Sequence, residues 1–374
     1  MFKKHSPYRL MLASLAVLFI LSCNAQSKFT DNLRATLNYN YGYLIPEYSS
    51  LTYLVKKPVQ SVSLNVSKKT LGKTDWEQIY KYPEYGFTLH YTTLGNKQVN
   101  GNEFALYPYF VYTIASGKRF ALSNRMGIGL GYATRKYNPL DNYLNVAVGS
   151  HLNIHFNLGL GGSYKLSEKI KMQAGISFDH FSNANLSEPN LGLNWTTTHI
   201  GIAYLLGHTT EAIERELEPH LKKFYIETIV SAGAKHPRSL NSDIYFASSF
   251  TTEARLEVSR TARLGLGVDL FYDRGTETEM LAAGRNDFKN IDQFKTGIHA
   301  SQELVYNRIS IMLQEGVYIF LTDKGSKRIM YNRGVVRFKT SKRTFVQLAL
   351  KSHLHILDHP EFGLGWLWKK NEKQ

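Results

Sequence analysis

Apolar and polar positions alternate with period two along most of this chain. Between Arg263 and Asp273, Leu264, Leu266, Val268, Leu270 and Tyr272 fall on one face, and Arg263, Gly265, Gly267, Asp269 and Phe271 on the other. Thr344 to Ile356 behaves alike, with Val346, Leu348, Leu350 and Leu354 opposed by Gln347, Lys351, His353 and His355. From His151 to Gly161, Leu152, Ile154, Phe156, Leu158 and Leu160 oppose His151, Asn153, His155 and Asn157. Such alternation predicts half-buried strands and by itself also fits a soluble sandwich with its apolar face inward. Strand length separates the two. The runs here are roughly 10 to 13 residues, against a usual mode of about 5–6 in globular sheets. Long alternating segments parted by turns are the mark of a transmembrane barrel.

The pattern predicts strands near 33–45, 60–68, 84–94, 103–115, 120–132, 150–164, 168–182, 195–206, 222–235, 245–259, 262–273, 293–305, 308–321, 328–337, 342–356 and 360–368. Links at 116–119, 165–167, 260–261 and 306–307 are short, whereas those at 133–149, 183–194 and 274–292 are long. Outer-membrane barrels show this asymmetry, with short periplasmic turns and longer outer loops. The segment 69–83 breaks the rule by being long on the periplasmic side, and the Glu-rich stretch 208–221 reads as a short periplasmic helix.

Two architectures fit this all-β reading. A single antiparallel barrel of roughly 14–16 strands is favoured by the short 208–221 link and the unbroken strand grammar. The alternative is an eight-stranded barrel followed by a second β-unit. The ends of the two halves are alike: Glu361-Phe362-Gly363-Leu364-Gly365-Trp366-Leu367-Trp368 closes the chain, and His199-Ile200-Gly201-Ile202-Ala203-Tyr204-Leu205-Leu206 closes the first half. The former resembles the signal read by the barrel assembly machinery, although a six-residue basic tail follows it.

The N-terminus is an address. Lys3, Lys4 and Arg9 precede the apolar stretch Leu10 to Leu21, a length typical of a signal peptide and short for a spanning helix. Ala25–Gln26 makes a cleavage point, and Cys23 after Ile20-Leu21-Ser22 forms a loose lipobox. The expected organisation is a signal peptide at 1–25, a barrel region at 26–207, a linker at 208–221 and a C-terminal strand region at 222–374.

Composition agrees. The 374 residues include 24 Tyr, 20 Phe and 28 Gly against 10 Pro, which suits closely packed strands carrying aromatics. A single cysteine excludes a disulfide framework or a thiolate metal site. The formal charge of +15 is spread over strands and loops without a nucleic-acid module, so in an exported protein lipopolysaccharide phosphates are the expected acidic partner. Gly127-Ile128-Gly129-Leu130-Gly131 lacks the strand–turn–helix setting of a dinucleotide loop. His151, His155, His353 and His355 share lumen parity, but two histidines four apart on a strand are too far apart to chelate unaided. Neither a metal nor a cofactor is expected.

One strand carries candidate chemistry. On 168–182, Ile170, Met172, Ala174, Ile176 and Phe178 share a face that His180 and Ser182 continue. Residues two apart on a strand are same-side neighbours about 7 Å apart, close enough for an imidazole to reach a hydroxyl. From parity alone the pair also reads as the wetted rim of a strand that has left the membrane, since a lone His-x-Ser is a weak motif.

The residues that follow are more specific. His180-Phe181-Ser182-Asn183-Ala184, then Glu188-Pro189-Asn190-Leu191-Gly192-Leu193-Asn194, resembles the motif of the lipid A 3-O-deacylase family, also called acyloxyacyl hydrolases. The resemblance runs from about residue 84 to 207, including Phe104-Ala105-Leu106-Tyr107-Pro108 and Leu158-Gly159-Leu160-Gly161, and does not obviously extend over 208–374. It implies an outer-membrane barrel that removes an ester-linked acyl chain from the lipid A of lipopolysaccharide, with Ser182 as nucleophile and His180 as its base. The family's third residue is a Glu, and the aligned position here is Asn194, a departure that leaves Glu188 as the substitute. Asn183 and the backbone N–H groups around Ala184 are candidate oxyanion donors by position. The other reading is a non-enzymatic barrel, a porin-like channel or surface scaffold.

Overall fold

In the computed structural model, residues 30–354 and 356–368 are described, except 48, 221, 238–242 and 322–328. The export segment with Cys23, His355 and the basic tail 369–374 lie outside the described residues. The first eight strands are β1 (Leu33–Ile45), β2 (Val59–Lys69), β3 (Glu84–Thr93), β4 (Asn102–Ser116), β5 (Phe120–Ala133), β6 (Leu152–Lys165), β7 (Ile170–Ser182) and β8 (Leu193–Leu205). Each pairs antiparallel with the next, and β8 returns to β1 from Arg34↔Leu205 to Ile45↔Asn194, closing a barrel.

The next eight are β9 (Phe224–Lys235), β10 (Tyr245–Glu257), β11 (Ala262–Asp273), β12 (Phe294–Tyr306), β13 (Ile309–Leu321), β14 (Met330–Lys339), β15 (Thr344–His353) and β16 (Ile356–Trp368). Here β16 closes on β9, from Glu361↔Gly233 to Trp368↔Ile226. The expectation of one large barrel is therefore corrected to two eight-stranded barrels in series. Period two reports which face a residue takes and is silent on which distant strand completes the ring. The first seam is permitted by Gly201, where an added Cβ would meet the Asn38 side-chain oxygen. Both Gly-containing terminal patterns noted above are closing strands.

The outer faces are apolar, as the alternation requires: Leu89, Leu106, Ile176, Ile200 and Ile202 are exposed on the first barrel, and Leu264, Leu266, Val268 and Leu270 on the second. The interiors differ. Asn38, Asn40, Ser63, Asn65 and His90 are buried inside the first barrel, around a polar cavity of about 140 Å³. An apolar cluster including Leu44, Leu54, Leu94, Phe181 and Trp195 plugs its long-loop end. The second barrel is filled with paired charges. Arg255 lies 3.0 Å from Glu227 and 2.9 Å from Glu303, and Arg333 lies 2.8 Å from Asp269 and 2.9 Å from Glu361. Removing one partner of such a buried set leaves an uncompensated charge, costing about 3–5 kcal/mol. Arg333→Met is therefore expected to lower the temperature at which the folded band disappears in semi-native electrophoresis; an unchanged transition would contradict the inward placement of this network.

Three further expectations are resolved. The segment 70–83 holds a short helix, α1 (Asp75–Ile79), and Tyr80 after it stacks on Tyr306 with ring centroids 4.8 Å apart. The Tyr80 hydroxyl donates to the Val305 carbonyl at 2.9 Å, and burial pushes this phenol above its usual pKa, so it stays a neutral donor. The segment is long because it bridges the barrels. The Glu-rich link is not helical: residues 208–220 form no regular secondary structure. Ile213 ties the link to the α1 segment: its N–H donates to the Leu71 carbonyl at 2.7 Å and its carbonyl accepts from the Gln78 amide at 2.6 Å, and Arg215 pairs with Asp75. Finally, Leu354 takes a left-handed φ of 58°, and β15 ends at His353, three residues earlier than the alternation suggests.

Candidate functional site

β7 places His180 and Ser182 as the pattern predicts. They continue the outward column of Ile176 and Phe178, while Asp179 and Phe181 are buried inside the barrel. His180 Nε2 lies 2.9 Å from Ser182 Oγ. Across the ladder, His180 is in register with Asn194, whose Oδ1 lies 2.7 Å from His180 Nδ1. An amide oxygen only accepts, so Nδ1 carries the hydrogen and Nε2 presents its lone pair to the serine hydroxyl. All three side chains are half-buried. The arrangement is a hydrogen-bonded line, Asn194 to His180 to Ser182, of the kind that activates a hydroxyl nucleophile.

Glu188 is exposed in the loop between β7 and β8, and no contact to His180 is present among the described residues. Asp179 lies in the lumen, its Oδ1 2.7 Å from Asn157 Nδ2 and 3.3 Å from His155 Nε2. His155 also meets Glu103 at 2.7 Å, while His151 stacks on Tyr132 and His353 bonds the Met330 carbonyl. Asn183 is committed to its own loop. Its N–H donates to Asn190 Oδ1 at 3.0 Å and its amide to the Ser187 carbonyl at 2.8 Å, while its Oδ1 accepts the Leu186 N–H at 3.1 Å. Ala184 and Asn185 follow in the left-handed region, with φ of 55° and 63°, and turn the chain sharply after the serine. The Asn185 amide reaches the Asp358 carbonyl of the second barrel at 3.3 Å.

Gly192 is the residue that sequence reasoning passed over. It has a φ of +73°, and an added Cβ would stand 3.0 Å from His180 Cε1 and 3.4 Å from Ser182 Cβ. Its N–H donates to the Ala147 carbonyl at 2.9 Å, so the neighbouring long loop fixes it in place. The sequence signal, a Gly shortly after a Pro, reads only as a turn. Leu44, Leu51, Leu54 and Val55 line an apolar cleft with Gly192 and Asn194. Gly192→Ala is expected to displace the imidazole and combine that with backbone strain, lowering turnover about 10- to 100-fold. The check is kcat on a fluorogenic ester with the barrel's heat-modifiable mobility unchanged; full activity would show that the ring tolerates the contact.

Residues 60–203 match the family described as lipid A 3-O-deacylase (PagL), and residues 224–370 match the acyloxyacyl hydrolase C-terminal domain. The second half, which the sequence resemblance did not obviously cover, is thus matched as well. Among solved structures, the outer membrane enzyme PagL is 19% identical with a TM-score of 0.32, covering 44% of this chain and 97% of its own. Neisserial surface protein A is 11% identical with a TM-score of 0.33, covering 47% of this chain and 97% of its own. The NanC porin is 8% identical with a TM-score of 0.16, covering 89% of this chain and 100% of its own. No curated protein matches the chain.

Proposed function

From the premise that this chain belongs to the lipid A 3-O-deacylase family, we propose that it is a serine esterase of the Gram-negative outer membrane that removes an ester-linked acyl chain from lipid A. The observation that carries the reading is the Asn194–His180–Ser182 line on the apolar outer face of the first barrel. In this assignment Ser182 Oγ attacks the ester carbonyl as His180 Nε2 takes its proton, and the protonated imidazole then returns that proton to the leaving sugar alcohol. Water, deprotonated by the same nitrogen, hydrolyses the acyl-enzyme and restores the hydroxyl. Asn194 holds the Nδ1–H tautomer but, being neutral, adds no charge to stabilise the imidazolium. We assign the oxyanion to the Ala184 N–H; Asn183 shapes the loop that presents it.

In an outer-membrane barrel the long loops face outward. Ser182, at the long-loop end of β7, then sits at the depth of the outer leaflet's acyl–sugar junction, and substrate enters from the bilayer without crossing a lumen. The basic surface suits the lipid A phosphates, and the β16 apolar column is the segment offered to the barrel assembly machinery. The channel alternative is disfavoured because the lumens are occupied, the first by Trp195 and Phe181 and the second by its Arg–carboxylate pairs. Mass spectra of lipid A incubated with the purified protein and with Ser182→Ala test the assignment: loss of one fatty acid by the parent protein only is expected. Unaltered lipid A with both would overturn it.

A further inference from the structure

Among the described residues, the second barrel carries no counterpart of the His–Ser pair on β15 and β16. On β15 the outward position two before Ser352 is Leu350, and Leu350 faces Pro360 on β16. Its distinctive feature lies at the opposite end, where the short turns gather.

A cavity of about 440 Å³ opens there, walled by Tyr225, Arg263, Arg337 and Phe345. It is blind. Glu227 lines its inner end, and behind it the barrel is filled by the buried Arg255, held by both Glu227 and Glu303. Of the acids that reach the cavity, Glu227 is engaged by Arg337 at 2.8 Å and Glu257 by Arg263 at 3.1 Å. Rings hold the wall guanidiniums in place: Arg337 lies 3.9 Å over the centre of Phe345, and Arg263 lies 5.8 Å over that of Tyr225.

Above this wall stands a rim of Lys223, Arg308, Lys342 and Arg343. They come from three separate places: the entry to β9, the turn after β12 and the turn before β15. Among the described residues none of these four makes an ion pair, although the buried cations deeper in the same barrel are matched. Lys235 lies 2.6 Å from Asp273 and 3.1 Å from Asp358, and Lys351 lies 2.8 Å from Asp358. The cations of the barrel's interior are thus paired, whereas the four at this mouth are not.

We propose that this cup binds a compact, multiply charged phosphate group. Arg and Lys converging on a cavity match phosphate oxygens, with the Arg forks able to bind two at once. The volume falls within the range of small-molecule sites, about 300–1,000 Å³, and is too small for a folded partner. Because the cup is blind, the group docks and does not pass through. Two sources supply such a group at the short-turn face: a soluble phosphorylated compound, and the headgroup of an anionic lipid in the adjoining leaflet. The inference is independent of the Ser182 assignment and of any esterase activity.

The test uses the full chain in phosphatidylcholine nanodiscs, titrated with inorganic pyrophosphate by calorimetry. Saturable binding is expected, weakened at least about tenfold in the Arg308→Glu/Arg343→Glu variant. Both positions are exposed turn residues, so the barrel should retain its heat-modifiable mobility. The control reverses Lys118 and Arg119 to Glu in the exposed turn after β4 on the first barrel, and should leave binding unchanged. Repeating the titration with phosphatidylglycerol in the discs separates the sources: competition identifies the lipid headgroup, and its absence a soluble compound. No pyrophosphate binding, or an equal loss in the Lys118/Arg119 control, overturns the proposal.

Discussion

Ser182→Ala and His180→Ala are each expected to abolish fatty-acid release from lipopolysaccharide, lowering kcat by about 10⁴–10⁶-fold, while the folded barrels remain intact. The size follows from the geometry. A serine hydroxyl is a poor nucleophile unless a base takes its proton, and the only imidazole within reach among the described residues is that of His180, at 2.9 Å. For the same reason the double variant should be scarcely worse than either single one, since the two side chains act as one unit. Fatty-acid release measured by gas chromatography, with heat-modifiable mobility as the folding control, gives both readings. A single variant retaining near-normal turnover, or a double variant far below both singles, would mean that the two do not share a step.

Asn194→Ala is expected to lower kcat by about 10²–10³-fold and leave KM nearly unchanged. The Asn194 oxygen at 2.7 Å fixes the ring and its tautomer, and that help is needed most as the imidazole takes up charge. Asn194→Glu should keep or raise activity, because a carboxylate supplies the same acceptor and also stabilises the imidazolium. Glu188→Ala should be close to the parent protein, since Glu188 is exposed and stands apart from the ring. Steady-state kinetics on one micellar ester substrate compare all three. Inactivity of both Asn194→Glu and Glu188→Ala would transfer the orienting role to the loop acid.

Individual strands were legible in the sequence because each was long enough to show its alternation; β1 and β11 coincide with the predicted 33–45 and 262–273. Ring closure was not. Nothing in the period of β8 states that Asn194 will lie opposite Ile45, since that pairing joins segments far apart in the chain. The outward position of His180 and Ser182 followed from parity alone. Their link to Asn194 did not, because it depends on the β7–β8 register, which the intervening loop sets through Asn183 and Gly192. The 208–220 coil was misread as a helix because Glu-rich composition ignores tertiary ties, here those of Ile213 and Arg215 to the α1 segment.

With Ser182 as the proposed nucleophile, its place beside Ile176 and Phe178, on the wall and not in a lumen, changes what substrate concentration means for this protein. The quantity that Ser182 meets is a surface density, the mole fraction of lipopolysaccharide in the surrounding leaflet. Diluting that leaflet with inert lipid should slow turnover even when total lipopolysaccharide per millilitre is held constant. Adding more vesicles of the same composition should leave the rate per enzyme unaltered. A lipopolysaccharide-poor patch of membrane would then hold the folded enzyme idle, and local enrichment of its substrate would set it working without any change in the protein itself.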